Sequence, residues 1–164
     1  MKLFVRIGQV SIVLFALFLI RGVFIMMNAP TPKSIPRYSL EQPFSVGYWN
    51  YVVHSAAWKS SIYELGEMKA PDSGTFLVVD ASVCNSDRTE STRPQFKLVD
   101  AQGREFSEYI MWEGGALNTL QMLNPSVCKR GLIFFDAPAA NYNLVMSGGY
   151  ESTDLAIVYL RTYY

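Results

Sequence analysis

Histidine and cysteine are scarce in this chain of 164 residues: there is one histidine, His54, and there are two cysteines, Cys84 and Cys128. That set is too small for a zinc centre, which takes four ligands, usually His or Cys. It also means that any Ser-His or Cys-His catalytic system would have to use His54. A glycine-rich phosphate loop is missing, because Gly114-Gly115 and Gly148-Gly149 are isolated pairs. A basic excess is missing too, with fourteen Lys/Arg against fourteen Asp/Glu. The charges are segregated, however. Residues 1–43 hold five Lys/Arg and one acid, whereas residues 44–164 hold nine and thirteen. The body is therefore mildly acidic and lacks the basic stripe that a phosphate backbone requires, so no nucleic-acid partner is expected.

What the chain does have is one long apolar run. Ile7 to Met27, IGQVSIVLFALFLIRGVFIMM, is interrupted only by Gln9, Ser11 and Arg21. At about 1.5 Å per residue it is long enough, as a helix, to span a hydrocarbon core of ~30 Å. Lys2 and Arg6 ahead of it favour a cytoplasmic N-terminus. Arg21 lies in the outer third, where its stem can reach the headgroups. Residues 1–27 therefore read as a single-pass membrane anchor. The alternative is a cleaved signal peptide with an apolar region of Ile7 to Ile20, leaving a secreted body. The small-residue site for such cleavage, Met27-Asn28-Ala29, is poor, and no cysteine follows for lipidation. Both readings place the body outside the cytoplasm. Residues 28–43 carry four prolines in NAPTPKSIPRYSLEQP and read as a semi-rigid stalk, leaving 44–164 as the domain.

The domain reads as all-β. Tyr48 to Ala57 is rich in aromatic and β-branched residues. Gly74 to Asn85 alternates, with Leu77, Val79, Ala81 and Val83 on one face and Asp80 and Ser82 on the other. Phe96 to Val99 and Arg104 to Tyr109 flank the turn Asp100-Ala101-Gln102-Gly103, a hairpin signal. Gly131 to Phe135, Tyr142 to Met146 and Ala156 to Leu160 complete about seven strands, the number of an immunoglobulin-like β-sandwich. Met111 to Leu123 is the exception. Leu117, Leu120 and Leu123 recur every third residue, which predicts a short 3₁₀ or α turn over one end of the sandwich.

Three motifs, GTFLVVDASVCNSD, FKLVDAQGREF and LNPSVCKRGLIFFDAPA, together resemble a bacterial extracytoplasmic immunoglobulin-like family described as telokin-like. The matching positions are Asn85, Asp100, Gly103, Pro125, Gly131, Phe135, Asp136 and Pro138, and the resemblance covers roughly residues 46–160. It implies a secreted or membrane-attached sandwich without an assigned activity, and it supplies no catalytic residues. The chain departs from the family in lacking a lipidation cysteine and in carrying Cys84 and Cys128.

Outside the cytoplasm an even cysteine count favours a disulfide. If Leu77, Val79, Ala81 and Val83 face the core, Cys84 faces outward. Cys128, in the turn leading into Gly131 to Phe135, would then join it on the rim of the sandwich. Asn85 reads as a turn residue opening the polar loop SDRTESTR. His54, in NYVVHSAAW, has no partner recognisable by spacing. The acids Asp72, Asp80, Asp87, Glu90, Asp100, Glu105, Glu108, Glu113 and Asp136 show no glycosidase or calcium-loop spacing. The aromatics Tyr48, Trp49, Tyr51, Trp58, Tyr109 and Trp112 suit core packing or, if clustered at one end, a binding platform. The expectation is a non-enzymatic, cofactor-free domain with an interaction or structural role in the cell envelope. It would attach to the membrane through its N-terminal helix and face an envelope protein or glycan. A ligand-binding module for glycan, lipid or small molecule is the alternative.

Overall fold

The computed structural model describes residues 34–112, 115–149 and 152–160. The expected membrane helix lies outside them. The described chain contains strands and turns only. The strands run β1 (Arg37–Tyr38), β2 (Phe44–Val46), β3 (Trp49–Lys59), β4 (Ile62–Glu64), β5 (Glu67–Lys69), β6 (Thr75–Asn85) and β7 (Ser91–Thr92). They continue with β8 (Lys97–Val99), β9 (Glu105–Ser107), β10 (Met122–Leu123), β11 (Cys128–Ala137), β12 (Tyr142–Ser147) and β13 (Leu155–Leu160).

Two sheets form the sandwich. One orders its strands β11-β6-β3-β2 and the other β1-β13-β12-β8-β9. The alternation read from the sequence sets which side chains meet between them. Leu77, Val79, Ala81 and Val83 of β6 are fully buried, packed with Leu98, Leu144, Met146, Val158 and Leu160 of the facing sheet. The seven expected strands are present, with the hairpin β8–β9 closed by Asp100. Burial pushes the Asp100 carboxyl up. Hydrogen bonds from the amides of Arg104 and Gln102 and from the Arg104 guanidinium outweigh it and hold the pKa below the usual carboxylate range.

Six short strands escaped the sequence reading, and three expectations need correction. The segment read as a stalk to residue 43 joins the domain earlier. Arg37 and Tyr38 pair in parallel with Ile157 and Val158, and Tyr38 stacks on Phe44 at 4.3 Å. Ile35-Pro36 thus leads into an edge strand, a place where proline is tolerated because no amide is needed from it. Cys128 lies in β11 rather than in the turn before it. Met111 to Leu123 forms no helical turn among its described residues.

That last segment works as a cover. Tyr109 bridges Phe134, and Ala116 bridges Leu132 as a parallel partner, so the chain runs along the free edge of β11. Gly131 makes the close approach possible. A Cβ there would stand 2.5 Å from the carbonyl oxygen of Gly115 and 3.1 Å from Leu117 Cγ. Leu117 and Leu123 are buried while Leu120 is 62% exposed, so the three-residue period is not one face of a helix. Beneath the cover lies a second core of Ile62, Phe76, Met111 and Phe134, on the face of the four-stranded sheet that points away from the main core. The β4–β5 hairpin closes this side. Tyr109 donates its hydroxyl to Glu64 at 2.7 Å and accepts from Lys69, whose ammonium also lies over the Tyr109 ring.

A buried ion pair ties the cover to the sandwich. Arg93 grips Glu108 with two bonds of 2.8 Å, and both side chains are almost fully enclosed. Arg93 also donates to the carbonyls of Pro94 and Leu117 and stacks over Phe96, while Glu108 accepts from the Phe96 amide.

Candidate functional site

Two places on the surface concentrate chemistry. The first is a cleft at the rim where β6 ends. Asn85 builds it. Fully buried, its side-chain amide donates to the carbonyls of Thr89 and Leu123, and its oxygen accepts from the Asp87 amide. Its backbone pairs with Val127 and Ser126. One side chain thus holds three segments, which answers why an asparagine ends the strand: it supplies both donors and an acceptor. Gly47 and Gly148 press backbone to backbone nearby, since a Cβ on Gly47 would meet the Gly148 oxygen at 2.6 Å. The cleft encloses about 460 Å³, within the size class of small-molecule sites. Its walls include Tyr48 and Met122, each about half exposed, with Asp87, Glu90, Ser91 and Ser152.

Of the six aromatics, only Tyr48 offers a broad exposed surface to this cleft. Trp49 lies buried behind it, and Tyr51 is enclosed in the core, where burial drives its phenol far above its usual pKa. Trp112 is 65% exposed but does not line the cleft. The aromatics therefore do not form one platform.

The second place is the outer face of the four-stranded sheet, next to the rim. Cys84 and Cys128 are direct partners across β6 and β11, with Cα atoms 4.0 Å apart and the sulfurs joined. The bridge lies within one sheet and on its outer side, as the alternation of β6 requires. One row farther in, Ser82 stands between Val52 and Arg130. Arg130 holds Asp80 through Nε and Nη2 at 3.0 and 2.7 Å, a bond that keeps the Asp80 carboxyl below the usual range despite some burial.

His54 sits beside this row. The ladder steps from Val53↔Ala81 to Ser55↔Asp80, so His54 is the extra residue of a β-bulge. Its Nδ1 lies 2.9 Å from Glu41 Oε2 and its Nε2 lies 2.8 Å from Ser82 Oγ. Spacing in the sequence showed no partner for His54, and the fold supplies two. Glu41 is thirteen residues away and Ser82 twenty-eight, so only the strand order brings them together. The one local signal was the polar pair His54-Ser55 in the middle of β3.

Two further acids serve the framework. Asp136 closes the 72–73 turn by accepting both amides, and Glu105 pairs with Lys97 on the surface. Among the described residues no three His, Cys, Asp or Glu side chains are grouped to hold a metal.

A family model described as a domain of unknown function (DUF4352) matches residues 38–154. The chain belongs to the DUF4352 family. Three solved structures share its fold. An uncharacterised β-sandwich protein from Clostridium difficile 630 is 9% identical, with a TM-score of 0.57 over 81% of this chain and 99% of that one. The yjhA protein of Bacillus subtilis is 14% identical, with a TM-score of 0.54 over 76% and 99%. A secreted protein of Mycobacterium tuberculosis, MPT63, is 15% identical, with a TM-score of 0.54 over 77% and 99%. No curated protein matches. At these identities the DUF4352 domain shares a β-sandwich with its neighbours, and the likeness assigns no site.

Proposed function

We propose that this chain is a membrane-anchored, extracytoplasmic immunoglobulin-like domain whose main duty in the cell envelope is interaction or structure rather than turnover. The anchor rests on the apolar run Ile7 to Met27, and secretion with signal cleavage is its alternative. The strand orders β11-β6-β3 and β13-β12-β8-β9, with β1 parallel to β13, support the immunoglobulin-like, telokin-like reading. An export compartment is supported by the Cys84–Cys128 bridge.

The observation that carries an interaction role is the filled interior. Leu77, Phe96, Leu98, Phe135, Leu144 and Leu160 leave the space between the sheets closed, so recognition falls to the surface. The rim cleft favours the second reading, a ligand-binding module. Its half-exposed Tyr48, hydroxyls and carboxylates suit a polyhydroxylated ligand such as a glycan.

One experiment tests both. A photo-crosslinking side chain is placed at position 48, and in parallel at Glu105 on the far sheet, in the full chain in intact cells. An adduct at 48 that is absent at 105 and lost on Met122→Ala is expected. Equal capture at both positions, or none at 48, would sink the cleft as the contact surface. Protease added to spheroplasts should digest the domain, and protection until lysis would reverse the topology.

A further inference from the structure

The open part of the outer face holds Glu41, His54 and Ser82 in one hydrogen-bonded series. Two of the three are held in irregular backbone. Glu41 has φ 62°, a left-handed conformation that side-chain-bearing residues adopt at a penalty. The turn stays there because the Glu41 amide donates to the Val53 carbonyl at 2.7 Å. His54 is turned toward Glu41 by the bulge, a feature that re-aims side chains and recurs beside active sites. The ring's tautomer follows from its partners. An ionised carboxylate only accepts, so Nδ1 carries the proton and donates to Glu41. Nε2 of the neutral ring then accepts from the Ser82 hydroxyl.

A solvated histidine that merely satisfies its neighbours would need neither the bulge nor the left-handed glutamate. It would also need nothing around Ser82, yet two further elements are there. A groove of about 340 Å³ adjoins Ser82, lined by Pro43, Ser45, Asn50, Val52 and Cys84 among others. Arg130, the register partner of Ser82 on β11, has its guanidinium fixed by the grip on Asp80, which leaves Nη1 outside that fork. As β6 is paired on both sides, its amides serve the ladder, and Arg130 is the cation at hand for a developing oxyanion.

We infer that Ser82 is a base-activated nucleophile for acyl transfer from small esters, with His54 as general base and Glu41 as its positioning residue. Ser82 Oγ attacks the ester carbonyl carbon while its proton passes to Nε2, and the carbonyl electron pair moves to the oxygen beside Arg130. Collapse breaks the bond to the alcohol oxygen, which leaves with the proton from His54, and an acyl-Ser82 remains. Water deprotonated by the same Nε2 then splits that ester, releasing a carboxylic acid and restoring the hydroxyl. The sum is ester plus water to acid plus alcohol. The groove suits a short apolar acyl chain. Glu41 and Arg130 are both largely exposed, at 67% and 60%, so the rate enhancement is expected to be modest. The proposal concerns a different face from the rim cleft and does not rest on it.

The full chain is treated with a fluorophosphonate probe, the adduct is mapped by peptide mass spectrometry, and hydrolysis of p-nitrophenyl butyrate is followed against pH. The expected result is an adduct on Ser82 that Ser82→Ala removes, together with hydrolysis above buffer. His54→Gln should lower both by about a hundredfold, the low end of the range for loss of a general base. Glu41→Gln should lower kcat with KM little changed, and Glu41→Asp, which keeps a carboxylate for Nδ1, should restore part of it. Melting curves taken on every variant separate these effects from unfolding. No adduct on Ser82, or undiminished labelling in a folded His54→Gln chain, overturns the proposal. An unchanged kcat in a folded Glu41→Gln chain removes Glu41 from it.

Discussion

The outer face of the four-stranded sheet has two halves that are built on opposite terms. Along β6, Phe76 and Val78 point outward at one end, and Asp80, Ser82 and Cys84 point outward at the other. Along β11, Phe134 faces out at the first end, and Arg130 and Cys128 at the second. The apolar half cannot face water cheaply and recruits a cover from the β4–β5 hairpin and from residues 109–112 and 115–117. The polar half has no such drive. It stays open, is stitched by a disulfide, and keeps its hydrogen-bonding side chains on an uncovered face. A single strand thus carries a covered half and an open half, separated at about Asp80.

The comparison breaks most severely at the cover. Glu108→Ala strips the partner from an enclosed Arg93 and should cost about 3–5 kcal/mol, because an uncompensated buried charge remains. Urea denaturation reads this directly. The paired change Arg93→Met with Glu108→Leu should cost far less, and an equal loss would show that the pair itself, rather than the orphaned charge, holds the cover.

The open half should prove softer. Reduction of Cys84–Cys128, which closes a span of 44 residues, should lower stability by about 2–4 kcal/mol while the sandwich persists. Far-ultraviolet circular dichroism with and without reductant checks both parts. Loss of the β signal at room temperature would make the bridge a condition of folding rather than a stitch.

The smallest effect concerns Asp80. The hydrogen bond from Arg130 holds its carboxyl below the usual range in the folded chain, so the unfolded chain takes up the proton at higher pH. The pair therefore adds stability above the unfolded value, near ~4, and loses it as pH falls through the folded one. The site is partly exposed, so the contribution should stay below about 1 kcal/mol. Stability curves of the natural chain and of Asp80→Asn should converge at acid pH. Curves that stay parallel down to pH 2 would deny the linkage.

Much of this was legible residue by residue. The alternation of Leu77, Val79, Ala81 and Val83 set the core face of β6, and with it the outward direction of Cys84. Asp100 and Gly103 marked their hairpin, and Asn85 its strand end. The six short strands were not legible, because two or three residues carry too little periodicity to separate from loops. The cover was misread for a related reason. Leu117, Leu120 and Leu123 repeat at helical spacing, yet the edge of β11 offered that segment backbone partners that a local turn would not.

The sequence by itself determined the all-β class, the inward and outward faces of the long strands, the hairpin turn and the choice of cysteines, because each depends on a local period or on a small count of residues. Only the tertiary structure decided that Glu41 and Ser82 flank His54 and that Asn85 ties three segments. It alone decided that Gly131 is small because the chain at Gly115 lies against it. Those contacts join residues from 13 to 38 positions apart, and no local period encodes them. Strand order and a one-residue bulge place them, and both are set by how the whole sheet buries its core.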